Sequence, residues 1–201
     1  MSKRRCEESA PTSIATASPG RSSVGSLCLR GRDPASRGTP LHAGPRFTRD
    51  VDVAVAITDD KEAEALVHAL TSDGYLLLAA VEQDAVERLA TVRLAPALDE
   101  GVVVDVLFAS SGIEPEIVRS AEAIEILPGL VVPVARTGHL IALKLLARDD
   151  ESRPQDLADL RSLHEVATRE DVDLARSAIH LITERGYHRG LAAALTALLS
   201  P

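Results

Sequence analysis

Hydrophobic and polar positions in this chain switch between a period of 2 and a period of 3.6. VDVAVAI, over 51–57, predicts a strand. KEAEALVHALTSDGY, over 61–75, puts Ala65, Leu66, Ala69 and Leu70 on one helical face and stops at Gly74, which predicts a helix. A less regular stretch follows, in which DAVERLA (84–90) predicts a short helix and ATVRLAP (90–96) a strand. GVVVDVLFA, over 101–109, is the most apolar strand signal in the chain. SGIEPEIVRSAEAI predicts a turn and a short helix, with Pro115 tolerated in the first helical turn. IEILPGLVVPVA predicts a hairpin about Pro128-Gly129. From Thr137 onward the pattern is helical, through HLIALKLLARDD, RPQDLADLRSLHEVA, DVDLARSAIHLITERGY and HRGLAAALTALLS.

Strands with interspersed helices, followed by a helical tail, predict an α+β fold: a mixed sheet flanked by helices and then a C-terminal helical region. The expected organisation is a core over 44–135 and a helical region over 136–201. Residues 1–43 are rich in Ser, Arg, Gly and Pro and show neither period, so they are expected to be disordered or unrelated to the rest.

Composition narrows the function classes. Of the 201 residues 45% are hydrophobic but only 2% aromatic, so the core must be Leu, Val, Ala and Ile. Two Phe and two Tyr are a poor supply of stacking platforms for bases. The net charge of −8 argues against a broad phosphate-binding surface, without excluding a local basic pocket. The acids concentrate in residues 45–201, where the balance is −12. Cys6 and Cys28 have no metal-ligand spacing and suggest no disulfide framework. No run of 18 apolar residues occurs and the first residues lack an apolar signal region, so a soluble cytoplasmic protein is expected.

The chemistry is carried by carboxylates. In RFTRDVDVAV, Asp50 and Asp52 project from the same face at the start of a strand, with only Ala54 and Ala56 behind them on that face. Asp105 sits inside the most apolar strand, where an ion is costly to bury without a partner. A single such aspartate is more often a cap, an ion pair or a wet sheet end. If the two strands are neighbours, however, three carboxylates converge, and a divalent cation would relieve their repulsion. Few hard oxygen ligands with open positions for phosphate suit Mg²⁺.

RFTRDVDVAV, followed by VVVDVLFASSGIE and then by HLIALKLLARDDESRPQDLADL, resembles the AbiEii-type toxin nucleotidyltransferases of the polymerase-beta-like superfamily. The resemblance covers roughly residues 44–201. It implies a nucleotidyltransferase-like sheet and Mg²⁺-dependent transfer of a nucleotide from an NTP to an acceptor hydroxyl, with release of pyrophosphate. It further implies that Asp50, Asp52 and Asp105 are the catalytic carboxylates and the metal-binding set, with Asp105 the third of them, near the attacking hydroxyl. The acceptor would be an RNA end, often of tRNA, or a protein side chain, and a cognate antitoxin would be a partner.

Three further residues are candidates for nucleotide binding. Lys144 shares a helix face with Arg148, and Asp156 shares one with Asp159, Leu160 and Leu163. An inter-helix ion pair is the plainer expectation, and Lys144 as a phosphate ligand is the functional one; the aspartates could also orient the lysine. Arg46 and Thr48 precede the D-x-D and fit either nucleotide contacts or ordinary surface positions. His42, His68, His139, His164, His180 and His188 are scattered without ligand spacing and read as structural or surface residues.

The family's glycine-containing turn, which cradles the triphosphate before the D-x-D, has only Gly25-Ser26 as a candidate, with no apolar strand ahead of it. A weakened phosphate cradle is therefore expected. The rival from another class is a non-catalytic interaction protein that keeps the fold. A phosphohydrolase using the same carboxylates is a third reading.

Overall fold

The computed structural model describes residues 28–29, 50–98, 102–149, 155–187 and 190–199. Along the chain these form β1 (Cys28–Leu29), β2 (Asp50–Ala54), α1 (Asp60–Ser72), β3 (Tyr75–Gln83), β4 (Arg88–Pro96) and β5 (Val103–Leu107). There follow α2 (Glu114–Arg119), β6 (Glu122–Leu127), β7 (Leu130–Val134), α3 (Thr137–Leu146), α4 (Gln155–Val166), α5 (Arg169–Glu184) and α6 (Leu191–Leu199). The fold is α+β, a mixed sheet flanked by helices.

The main sheet has the order β1-β2-β5-β4-β3, and β6 with β7 forms a separate hairpin. β2 and β5 run parallel, whereas β1 pairs antiparallel with β2, β4 with β5 and β3 with β4. Within 1–43, the segment expected to lack regular structure, only Cys28–Leu29 is described, and it pairs with Val53 and Ala54.

Helix boundaries follow local chemistry. Asp59 caps α1 by accepting from the Glu62 amide at 2.9 Å, while the Glu62 carboxylate reaches back to the Thr58 amide at 2.8 Å. The chain leaves α1 through Gly74, whose φ of +94° favours glycine. Thr168 and Asp171 form a reciprocal capping box at the start of α5.

Two differences from the sequence pattern appear in one place. The stretch after α1 is a nine-residue strand, β3, and the short helix expected over DAVERLA is instead a turn followed by the start of β4. The apolar spacing of Val86, Leu89 and Ala90 mimics a helix. Pairing of β3 with β4, with Glu87 turning at φ 51°, outweighs that local preference.

Two hydrophobic clusters fix the sheet. Val53, Val55, Val92, Leu94, Val106 and Phe108 bury one face, with Ala63, Leu66, Val67 and Leu70 of α1 against them. The second cluster joins Ile113, Ile117 and helices α3 to α6. Ala54 belongs to this second cluster, so the helices meet the opposite sheet face, the one that carries Asp50 and Asp52. Exposure falls along that face from exposed Asp50, through intermediate Asp52, to buried Ala54.

Candidate active site

The register of the sheet brings two of the three aspartates together. On the parallel pair, Asp52 lies opposite Asp105, with Asp50 opposite Val103. In-register residues on neighbouring strands point to the same side, so Asp52 and Asp105 stand next to each other and Asp50 shares their face two residues earlier. On the far side of Asp105 the partner is Arg93 of β4. The row across three strands is therefore Asp52, Asp105, Arg93.

Arg93 grips Asp105 with a fork. Its Nε donates to Oδ1 at 2.8 Å and its Nη2 to Oδ2 at 2.6 Å. The Asp105 side chain is 12% exposed and that of Arg93 49%. Hydrogen bonding to Asp105, then its charge, raises the Arg93 pKa above the ordinary arginine value against the opposing effect of burial, and the charges of Asp50 and Asp52 add to it. The sequence pattern did not single out Arg93. The only available signal was its alternation with buried Val92 and Leu94, which sends it to the face opposite the core.

Among the described residues no group of three or more His, Cys, Asp or Glu side chains has a metal-holding arrangement. Both oxygens of Asp105 accept from Arg93. On β2, Asp50 and Asp52 share a face two residues apart. Mg²⁺ commonly takes one or two carboxylates and completes its shell with water and substrate phosphate.

Lys144 is an inter-helix ion-pair residue, the plainer of its two expected roles. Its Nζ donates to Asp156 Oδ1 at 2.8 Å and to Asp159 Oδ2 at 2.9 Å, tying α3 to α4. An ammonium has three donors, and the third has no partner among the described residues. Arg46, Thr48, Gly25 and Ser26 lie outside the described residues. His139 is buried, with Nδ1 3.3 Å from Ser120 Oγ, and His180 is a surface partner of Glu184, so both fit the structural or surface reading.

The SSGIE segment after β5 has a structural duty that the sequence did not reveal. Buried Glu114 accepts through Oε1 from Ser110 Oγ at 2.9 Å, the Ser111 amide at 2.7 Å and Ser111 Oγ at 2.9 Å. Gly112, at φ +75°, lies under the Tyr187 ring, which leaves no room for a Cβ. Arg185 donates to the Gly112 carbonyl and forks onto Glu116 at 2.9 and 2.8 Å. The exit from β5 is thus locked to the end of α5.

A concavity of about 460 Å³ between α5 and α6, lined by Ile179, Thr183, Leu195 and Leu199 among others, includes none of the aspartates.

A mixed sheet with paired strand carboxylates backed by a helical cluster is the arrangement expected of a nucleotidyltransferase. The chain belongs to the family described as nucleotidyl transferase AbiEii toxin, type IV toxin–antitoxin system, whose sequence model matches residues 41–199. Among solved structures it is similar to a candidate nucleotidyltransferase from H. pylori, at 18% identity and a TM-score of 0.39, covering 87% of this chain and 83% of that one. It is also similar to an antigenic nucleotidyltransferase-like protein from Paracoccidioides brasiliensis, at 18% identity and a TM-score of 0.39, covering 78% and 79%. No curated protein matches. No helix among the described residues is long and apolar enough to cross a membrane.

Proposed function

We propose that this chain transfers a nucleoside monophosphate from an NTP to an acceptor hydroxyl, with Mg²⁺ as cofactor, and acts as the toxin opposed by a cognate antitoxin. The observation that carries the reading is the in-register pairing of Asp52 with Asp105, with Asp50 on the same face. Asp50 and Asp52 would hold the cation. When bound, the ion neutralises charge on the triphosphate and on the departing pyrophosphate.

In this reading Asp105 accepts the hydrogen bond of the attacking hydroxyl and aligns it. The hydroxyl oxygen forms a bond to the α-phosphorus, and the bond from that phosphorus to the bridging oxygen breaks. The pyrophosphate leaves with the electron pair, and the hydroxyl proton is released to solvent. Lys144, held by Asp156 and Asp159, supplies a cation for the phosphates through its remaining N–H. Arg46 and Thr48 complete the nucleotide contacts. The acceptor is the hydroxyl of an RNA end or of a protein side chain.

Calorimetry of NTP binding, with and without Mg²⁺, tests the reading on the wild type and on Asp52→Asn. Saturable binding that needs both the metal and Asp52 is expected. A folded wild type that binds no NTP, or an Asp52→Asn variant that binds equally well, overturns it in favour of a non-catalytic interaction protein. Labelled NTP then separates transfer, which marks an acceptor, from hydrolysis, which marks none.

A further inference from the structure

A second concavity, of about 280 Å³, lies where α2, α3 and α5 meet, and it includes none of Asp50, Asp52, Asp105 or Lys144. Its walls combine Leu174, Ala178 and Leu181 of α5 with Arg119 and Ser120 at the end of α2 and with His139 of α3. We propose that it binds a small hydroxylated monoanion, with the ligand's hydroxyl donating to His139 Nε2, its apolar body against α5 and its negative charge at Arg119. The proposal stands apart from the nucleotidyltransferase reading, because the two sets of residues do not overlap.

Three observations support this. The first is an acceptor with nothing to accept from. His139 is 3% exposed, and its Nδ1 lies 3.3 Å from Ser120 Oγ. Ser120 Oγ already donates its one proton to the Glu116 carbonyl at 2.8 Å, so towards His139 it accepts, and Nδ1 carries the ring proton. Burial, and then the charge of Arg136, push the His139 pKa down against the opposing charge of Glu116, so the ring is neutral with a lone pair on Nε2. With Nδ1 turned to Ser120, Nε2 is the ring atom left for the concavity, and it has no partner among the described residues. A buried acceptor without a donor is costly, and a ligand hydroxyl removes that cost. The second observation is charge. The Glu116 carboxylate accepts the Arg185 fork at 2.9 and 2.8 Å and lies 3.8 Å from Arg119 Nη2. One carboxylate thus serves two guanidiniums, which leaves a positive charge for an anion at the rim. The third is size. Drug-sized ligands take about 300–1,000 Å³, so this smaller concavity suits a single ring or a short chain, with Leu174, Ala178 and Leu181 as its apolar wall.

The test uses para-hydroxybenzoate as the probe and reads the magnetic resonance signals of the His139 ring nitrogens in the full chain, assigned by their loss in His139→Phe. In the free protein Nε2 is expected to be the unprotonated nitrogen, and para-hydroxybenzoate should shift its signal saturably. Benzoate, which lacks the hydroxyl, should bind about tenfold more weakly, because Nε2 is then left unpaired. Arg119→Gln should weaken para-hydroxybenzoate about threefold, as expected for an exposed ion pair, and leave the binding of phenol, which has no carboxylate, unchanged. A proton on Nε2, no saturable shift up to about 10 mM, equal binding of the two acids, or undiminished binding of para-hydroxybenzoate in Arg119→Gln overturns the proposal. Should His139→Phe fail to fold, His139→Gln makes the assignment, and the comparison of the two acids on the wild type decides alone.

Discussion

Replacing Lys144 by Met tests whether the α3–α4 charge cluster holds the helical region together. Methionine keeps a flexible apolar stem and removes only the ammonium. In the structure that ammonium makes two charge-assisted hydrogen bonds, at 2.8 and 2.9 Å, to side chains that are 6% and 22% exposed. Hydrogen bonds to charged groups contribute about 1.5–3 kcal/mol each, and removing one partner of a buried pair costs about 3–5 kcal/mol. Because Asp159 is partly wet, the lower end applies, about 3 kcal/mol. With a urea slope of about 1–3 kcal/mol per molar, the denaturation midpoint should fall by about 1–3 M. A native domain stabilised by about 5–15 kcal/mol survives that loss, so the variant can be measured while folded. A midpoint shift below about 0.3 M refutes the reasoning. NTP binding by Lys144→Met, at a temperature where it is folded, then reads out the phosphate role separately.

Two further outcomes are expected. Gly138→Ala should destabilise by about 1–2 kcal/mol despite alanine's better helix propensity, because a Cβ there meets the Asp171 carbonyl and lies 2.8 Å from Leu174 Cβ, where α3 crosses α5; thermal melting that shows an unchanged or higher midpoint contradicts it. The His139 pKa is pushed below its ordinary value of 6.5, first by burial and then by the charge of Arg136, with Glu116 opposing. The folded state therefore binds this proton less readily than the unfolded chain. The stability tied to the neutral ring is present above the ordinary value and lost as pH falls through the lower folded value. Urea titrations at several pH values should show wild-type stability declining below neutrality, with a flatter profile in His139→Gln; parallel profiles would remove His139 as the cause.

Much of the fold is legible in the sequence because its signals are local. Gly74 marks the end of a helix that the structure keeps, and Pro128-Gly129 marks the hairpin turn. β3 escapes for a physical reason. YLLLAAVEQ carries apolar residues at consecutive positions, with no period of 2, because this edge strand is open on both sides. Leu76, Leu77, Leu78 and Val81 are all more than half exposed, and a register slip between Leu77 and Ala79 breaks the alternation further. An unalternating strand gives no face to read, and the DAVERLA pattern then borrows a helix that pairing with β3 denies it.

The charged residues divide along the same line. Lys144, Asp156 and Asp159 lie on helices, where spacing alone puts Asp156 on a face with Leu160 and Asp159 on one with Leu163, and the ion pair can be anticipated from that. Arg93 and Asp105 meet only because β4 and β5 pair in one register, and a slip of one residue would send Arg93 into the core face and turn Val92 and Leu94 out of it. That register is set by the apolar set Val92, Leu94, Val104 and Val106 on the two strands, whose packing against α1 selects one alignment. The same packing places Asp105 opposite Asp52, so the acid pair and its arginine are products of a single alignment. Disturbing that core, for example at Val92, should therefore loosen both contacts together. By contrast, substitutions in the α3–α4 cluster should leave the acid row unchanged.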